Sequence, residues 1–162
     1  MSTVGWGMFQ KAVLLHNVRS AHNVGAVMRT ADGAGVSRVF LSGYTPRPVD
    51  RFGRGDKRLA KTALGAQHVL AWEYRSDPMP LIASLRSEGW RIIGVEQDPR
   101  SRDYREQVLD RPALFIFGNE VRGLSPALRA ACDDLMEIPM RGAKESLNVS
   151  VAAGIILFRF AA

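Results

Sequence analysis

The stretch RGAKESLNVSVAAGIILF, residues 141–158, holds two patterns at once. Its first half alternates: Leu147, Val149 and Val151 are apolar while Asn148 and Ser150 are polar, the period of a half-buried strand. Its second half is apolar almost all round, as a buried helix is. A segment bound for a core has little reason to open with Ser146, Asn148 and Ser150 unless those polar groups serve something at its start.

Working outward, strand-like runs alternate with helix-like segments: AVLLHN, RVFLSG, HVLAWEY, WRIIGVE, ALFIFG and LMEIP. Asp77-Pro78 and Ser125-Pro126 each set a capping residue before a proline at the first helical position. Gly35, Gly65 and Gly89 follow periodic segments, where a left-handed C-terminal residue belongs. Alternating β and α units predict an α/β domain, a mostly parallel sheet with helices on both faces. The chain has 162 residues, enough for one domain that buries roughly 70% of its unfolded surface without disulfides or metals.

Composition narrows the classes further. Hydrophobic residues make up 46% and charged residues 23%, a globular balance that excludes disordered and fibrous chains. The single cysteine, Cys132, forbids a disulfide framework and points to a reducing, cytoplasmic setting. MSTVGWGMFQK lacks a basic region followed by a long apolar run, so no secretory signal is expected. No window reaches the ~18 uninterrupted apolar residues of a membrane span, and a soluble protein is expected. Lys and Arg number 22 against 16 acidic residues, a net charge of +6. That excess suits a phosphate-backbone partner, although many basic proteins never touch nucleic acid.

Two segments resist regular structure. GYTPRPVDRFGRGDKRLAK (Gly43 to Lys61) carries Arg47, Arg51, Arg54, Lys57, Arg58 and Lys61, with Tyr44 and Phe52 interleaved. QDPRSRDYREQ (Gln97 to Gln107) is also arginine-rich. Loops outside the strand ends of an α/β sheet are where ligands bind, and basic residues mixed with aromatics suit phosphates and bases. The alternative is that both are solvated surface loops.

Familiar nucleotide and catalytic signatures are missing. GRGDKR is not G-x-G-x-x-G, no G-x-x-x-x-G-K-[ST] occurs, and there is no G-x-S-x-G elbow. His16, His22 and His68 lack metal-ligand spacing, so no metal is expected. Three other segments set polar residues against a glycine turn at a strand end. In the first, Asn23 can cap a helix, Gly25 permits close approach and Arg29 lies on that helix; the alternative for Arg29 is a plain exposed arginine. The second, LFIFGNEVRGLSP, ends a buried strand in Gly118-Asn119-Glu120, where a bare backbone can approach a flat ring, or simply turn. The third is EIPMRGAKE with the stretch quoted at the outset.

In order, NVGAVMRTADGAG (23–35), FGNEVRGLS (117–125) and IPMRGAKESLNVSVA (138–152) resemble the three motifs of the SpoU (TrmH-like) family of RNA 2′-O-ribose methyltransferases, in the SPOUT superfamily. The resemblance implies a parallel α/β sheet whose C-terminal part forms a deep trefoil knot, in a homodimer. It makes SLNVSVA the start of the last helix, with Ser146 as N-cap, Ser150 one turn on along the same side and Asn148 pointing elsewhere. It implies S-adenosylmethionine as methyl donor, held by backbone around Val95, Gly118, Ile138, Met140, Ser146 and Leu147. The implied reaction methylates a ribose 2′-hydroxyl of tRNA or rRNA. Arg29, supplied from the opposite subunit, would be catalytic, with Asn23 and Glu120 orienting it and the loops, and Ser150 and Asn148 supporting the pocket. The chain is expected to be a single domain without an appended RNA-binding domain, so that RNA selection falls on Gly43 to Lys61. The competing expectation is a non-catalytic RNA-binding or assembly protein on the same knotted scaffold.

Overall fold

The strand Lys11–His16 (β1) is buried along nearly its whole length, with Val13 and Leu15 on one face of the sheet and Ala12 and Leu14 on the other. A strand apolar on both sides belongs inside a parallel sheet covered on both faces. The computed structural model describes residues 9–161. The expectation of no secretory signal rests on residues that include 1–8, which lie outside them.

After β1 come α1 (Ala21–Gly33), β2 (Arg38–Ser42), α2 (Lys57–Ala63), α3 (Ala66–Val69), β3 (Trp72–Arg75), α4 (Met79–Ser87) and β4 (Arg91–Val95). Then follow β5 (Arg102–Asp103), a 3-10 turn (Tyr104–Glu106), β6 (Ala113–Phe117), α5 (Pro126–Ala131), β7 (Asp134–Glu137) and α6 (Val149–Arg159). The seven strands lie in the order β3-β2-β1-β6-β4-β7-β5, and every pair is parallel. One face is covered by α1, α2 and α6 through Val24, Val27, Met28, Leu59, Ile156 and Leu157. The other is covered by α4 and α5 through Leu81, Ile82, Leu85 and Leu128. This is the α/β architecture read from the alternating runs.

Local chemistry sets the element ends. Ser20 caps α1 by accepting from the Asn23 N–H at 3.2 Å, and Ser125 caps α5 by accepting from Leu128 at 3.2 Å. Gly35, Gly65 and Gly89 all have positive φ, as read from the sequence. At α4 the helix begins one residue later than expected: Pro78 is the N-cap, and the Asp77 side chain accepts from the Met79 N–H at 3.0 Å. The two segments expected to lack regular structure hold some. Asp56 caps α2 by accepting from Arg58 and Leu59, so Lys57, Arg58 and Lys61 are helical. In the second, β5 pairs with β7.

The crossing of α1 and α2 is the tightest helix contact on that face. A Cβ on Gly25 would overlap the Leu59 carbonyl oxygen and Thr62 Oγ1, and would stand 2.9 Å from the Ala63 nitrogen. Thr62 Oγ1 also donates to the His22 carbonyl at 2.8 Å, pinning the two helices together. Gly25→Ala should therefore destabilise the protein by about 1–3 kcal/mol through overpacking. The midpoint and slope of urea unfolding measure this; a change below about 0.5 kcal/mol would mean that α2 yields freely.

Candidate active site

In a parallel sheet a crevice opens at the C-terminal ends of two neighbouring strands whose connections run in opposite directions. Here those strands are β1, which leads through α1 to β2, and β6, which leads through α5 to β7 on the other side. Glu120, just after β6, crosses this crevice. Its Oε1 accepts from the Arg19 N–H at 2.7 Å and its Oε2 from the Ser20 N–H at 2.9 Å. These amides lie just before α1, where free N–H groups and the helix dipole favour a carboxylate.

The network continues from there. Asn23 Nδ2 donates to Glu120 Oε2 at 3.5 Å, and Asn148 Nδ2 donates to Asn23 Oδ1 at 3.2 Å. Asn148 Oδ1 accepts from the Ser150 N–H at 2.8 Å and from Ser150 Oγ at 2.5 Å. Four of the five expected catalytic positions thus form one connected set that ties together three segments distant in sequence. Arg29 is not among them. It is exposed, roughly 9 Å further along α1 from Asn23 and about 120° around the axis.

Several expectations are corrected here. Asn148, not Ser146, is the N-cap of α6, because the chain turns into the helix only at Val149. Asn148 and Ser150 do not diverge, since the cap bond joins them. Asn23 does not cap α1; Ser20 does, and Asn23 sits inside the first turn with its amide free to reach across. Within the chain neither Asn23 nor Glu120 touches Arg29: their partners are the loop amides and Asn148.

Beside this network, the ends of β4, β6 and β7 and the start of α6 form a cleft that is partly open to solvent. Val95, Gly118, Ile138, Met140, Ser146 and Leu147 all line it. So do Glu96, Gln97, Asn119 and Glu137, none of them among the expected site residues. Glu96 shapes the wall: its Oε2 accepts from the Leu124 N–H at 2.7 Å and its Oε1 from the Gln97 N–H at 2.9 Å. Gly123, at φ +64°, leaves room for that carboxylate. A Cβ on Gly118 would stand 2.5 Å from the Gly123 carbonyl oxygen, so the turn itself already requires a bare backbone there. The position of Glu96 directly after a strand was the available signal; the arginines that follow it drew attention away.

The two basic segments differ in their free charge. In the second, Arg100 and Arg105 are paired with Asp98 and Asp103, and hydrogen bonds from the Arg105 side chain and N–H hold the Asp103 carboxyl down to about 2. In the first, Arg54 pairs with Asp50 at 2.8 Å and Arg58 with Asp56 at 3.4 Å. Arg47 stacks over Tyr74 at 4.1 Å, and Arg51 and Arg54 flank the Phe52 ring at 4.7 and 5.1 Å. Arg47, Arg51, Lys57 and Lys61 carry no ion pair among the described residues.

The remaining nucleophiles and bases lie apart from the cleft. Burial pushes the Cys132 thiol up to about 12, with the Asp133 charge adding to it, which leaves almost no thiolate. His16 Nδ1 sits 2.7 Å from Ser42 Oγ, and burial lowers its pKa against the opposing charge of Asp77. Among the described residues no three His, Cys, Asp or Glu side chains gather as metal ligands, and no helix is long and apolar enough to cross a membrane.

Comparison with known proteins bears on this geometry. Residues 10–158 match the model of the SpoU rRNA Methylase family. A 23S rRNA (guanosine-2′-O-)-methyltransferase RlmB from Vibrio parahaemolyticus is 34% identical over 146 residues, covering 90% of this chain and 56% of the relative. A tRNA (guanosine(18)-2′-O)-methyltransferase from Aquifex aeolicus is 32% identical over 146 residues, covering 90% of this chain and 66% of the relative. The chain thus spans little more than half the length of most curated relatives it matches. The structure of an AdoMet-bound rRNA methyltransferase from Sinorhizobium meliloti superposes with a TM-score of 0.84 at 29% identity, over 93% of this chain and 55% of that one.

The carboxylate at 120 makes charge-assisted bonds that bridge two otherwise separate loops. Glu120→Ala leaves the Arg19 and Ser20 amides without their partner, and the expected loss is about 1–3 kcal/mol of unfolding free energy. Thermal and urea unfolding of the purified variant check this. A stability equal to the parent's would mean that solvent replaces the carboxylate without cost.

Proposed function

The chain belongs to the SpoU rRNA methylase family, and from that premise we propose that it methylates a ribose 2′-hydroxyl of tRNA or rRNA with S-adenosylmethionine as donor. One observation carries this reading: the six positions expected to hold the donor line a single cleft at the strand ends. The chemistry of the lining fits the donor. Glu96, Glu120 and Glu137 contribute carboxylates and no Lys or Arg lines the cleft, which favours a ligand bearing a sulfonium. Bound there, S-adenosylmethionine supplies a methyl group already activated as an electrophile.

The chain's own residues then have to align a weak nucleophile and manage the charge that develops on it. The network from Glu120 through Asn23 and Asn148 to Ser150 holds the cleft walls in register. Arg29 is the proposed catalytic residue. A guanidinium is a donor, with a pKa above 12, so it grips a phosphate and stabilises alkoxide charge better than it takes a proton. Arg29 lies outside the cleft of its own chain, which supports its supply from a second copy.

The homodimer is part of the proposal. Val151 and Phe158, 49% and 55% exposed, lie seven residues apart on one side of α6 and leave an apolar strip for a partner. The deep C-terminal knot is proposed too. It is supported by the Arg159 side chain, which donates to the Arg105 and Gln107 carbonyls and so ties the end of the last helix to the segment between β5 and β6. Arg47, Arg51, Arg54, Lys57, Arg58 and Lys61 are the proposed RNA contacts, with Arg47, Arg51, Lys57 and Lys61, which carry no ion pair among the described residues, contributing most. An RNA substrate would place the protein in the cytoplasm.

The test joins calorimetry with S-adenosylmethionine to single-turnover methylation of unmodified tRNA and rRNA transcripts. The protein should bind the donor and label a 2′-oxygen. Arg29→Ala should keep donor affinity within about threefold and lose about 10²–10³ in rate. Arg29→Lys should be nearly as poor at every pH, because an ammonium cannot make forked contacts. A lysine variant rescued at high pH would make residue 29 a base. Donor binding without methylation of either RNA would leave a non-catalytic RNA-binding protein.

A further inference from the structure

Resting on the reading of the protein as an RNA methyltransferase, we propose that the exposed ring of Tyr44 is a stacking surface for a base of the RNA substrate, placed beside the nucleotide presented to the cleft. The residue is 59% exposed, yet it is held at both ends. Its N–H donates to Asn17 Oδ1 at 3.1 Å, and its hydroxyl accepts from Asn119 Nδ2 at 3.0 Å. Asn119 Nδ2 also donates to the Asn17 backbone carbonyl at 3.1 Å, so the three residues close a small ring of contacts through side chains and backbone.

The flanking residues are fixed as firmly. Gly43, at φ +62°, lies against the Asn17 side chain, where any Cβ would collide. Its carbonyl accepts from the Tyr74 hydroxyl at 2.7 Å. Thr45 is buried, donates to the Leu15 carbonyl at 3.0 Å and accepts from the Val18 N–H at 3.1 Å. Three consecutive residues are therefore clamped while the ring of the middle one faces solvent. Holding an apolar ring in water has no benefit for folding, whereas a preorganised flat surface spares ordering entropy when a base stacks on it.

Location and charge point to the same occupant. Asn119, which holds the hydroxyl, lines the cleft, so Tyr44 stands one side chain from it. On its chain-forward side begins the segment with Arg47, Arg51, Lys57 and Lys61. Phe52, the other exposed aromatic there, already has guanidiniums over it from Arg51 and Arg54. No aromatic or guanidinium stacks on Tyr44 among the described residues.

The test measures fluorescence anisotropy of a fluorescein-labelled, mixed-sequence RNA decamer with the full chain and with Tyr44→Phe, Tyr44→Leu and Tyr44→Ala, alongside S-adenosylmethionine calorimetry. The leucine and alanine variants should lose about five- to a hundredfold in RNA affinity, while phenylalanine stays within about twofold. Donor affinity should move by less than about threefold in all of them. Equal RNA affinity in all four proteins overturns the proposal. So does a phenylalanine variant as weak as alanine, or an equal loss of donor affinity, since either makes the ring a brace for Asn119. A parent protein that binds the donor but no RNA overturns stacking alone; one that binds RNA through Tyr44 but no donor sinks the methylation reading alone.

Discussion

Glu120 brings a carboxylate to the one place where the sheet cannot close itself. In an all-parallel sheet the backbone ladders end together, and between β1 and β6 the chain leaves in opposite directions, exposing amides with no strand or helix to satisfy them. The bonds from Arg19 and Ser20 to this carboxylate bind the start of α1 to the turn after β6. Through Asn23 and Asn148 the same charge reaches the cap of α6. Two of these segments, the turn after β6 and the start of α6, line the cleft, and the network holds them in register.

Much of this was legible in the sequence, and the misses share a cause. Six of the seven strands announced themselves as apolar runs, most plainly β1 and β6, where burial on both faces leaves little room for polar residues. The two-residue β5 did not, since its arginine and aspartate pair with β7 through backbone alone. Ser146, Asn148 and Ser150 are all capable caps within five residues. Which one serves depends on where the chain arrives from, and Asn148 wins because its amide also reaches Asn23, 125 residues away. The helix α2 could have been read from Asp56 and the good helix formers after it, had the prolines and glycines before it weighed less. Glu96 follows directly after β4, but its role as a wall of the cleft depends on an amide 28 residues on.

The site region carries two opposite fields. Three carboxylates line the cleft, while the segment from Arg47 to Lys61 presents cations on the neighbouring surface. Within that segment Asp50 and Asp56 neutralise Arg54 and Arg58 and stiffen them, so these guanidiniums define a shape more than a charge. The hydrogen bonds that Asp50 accepts from the Arg54 and Phe52 N–H groups lower its pKa, keeping it charged and the turn closed. A polyanion laid on the surface is drawn toward the cations and repelled from the cleft, which reserves the cleft for a small cationic ligand.

The strand order also has a kinetic meaning. β1 pairs with β6 in a register that joins Lys11 to Ala113, so the centre of the sheet forms between residues about a hundred apart. Such non-local closure is slow, and on a ribosome it must wait until most of the chain has been made. β1, β2 and β3 can pair early, yet the half of the sheet that carries the cleft has no ladder to join until β6 emerges. The cleft still lacks one wall until the residues beyond Asn148 dock on α1. A complete cleft therefore waits for the last helix to dock.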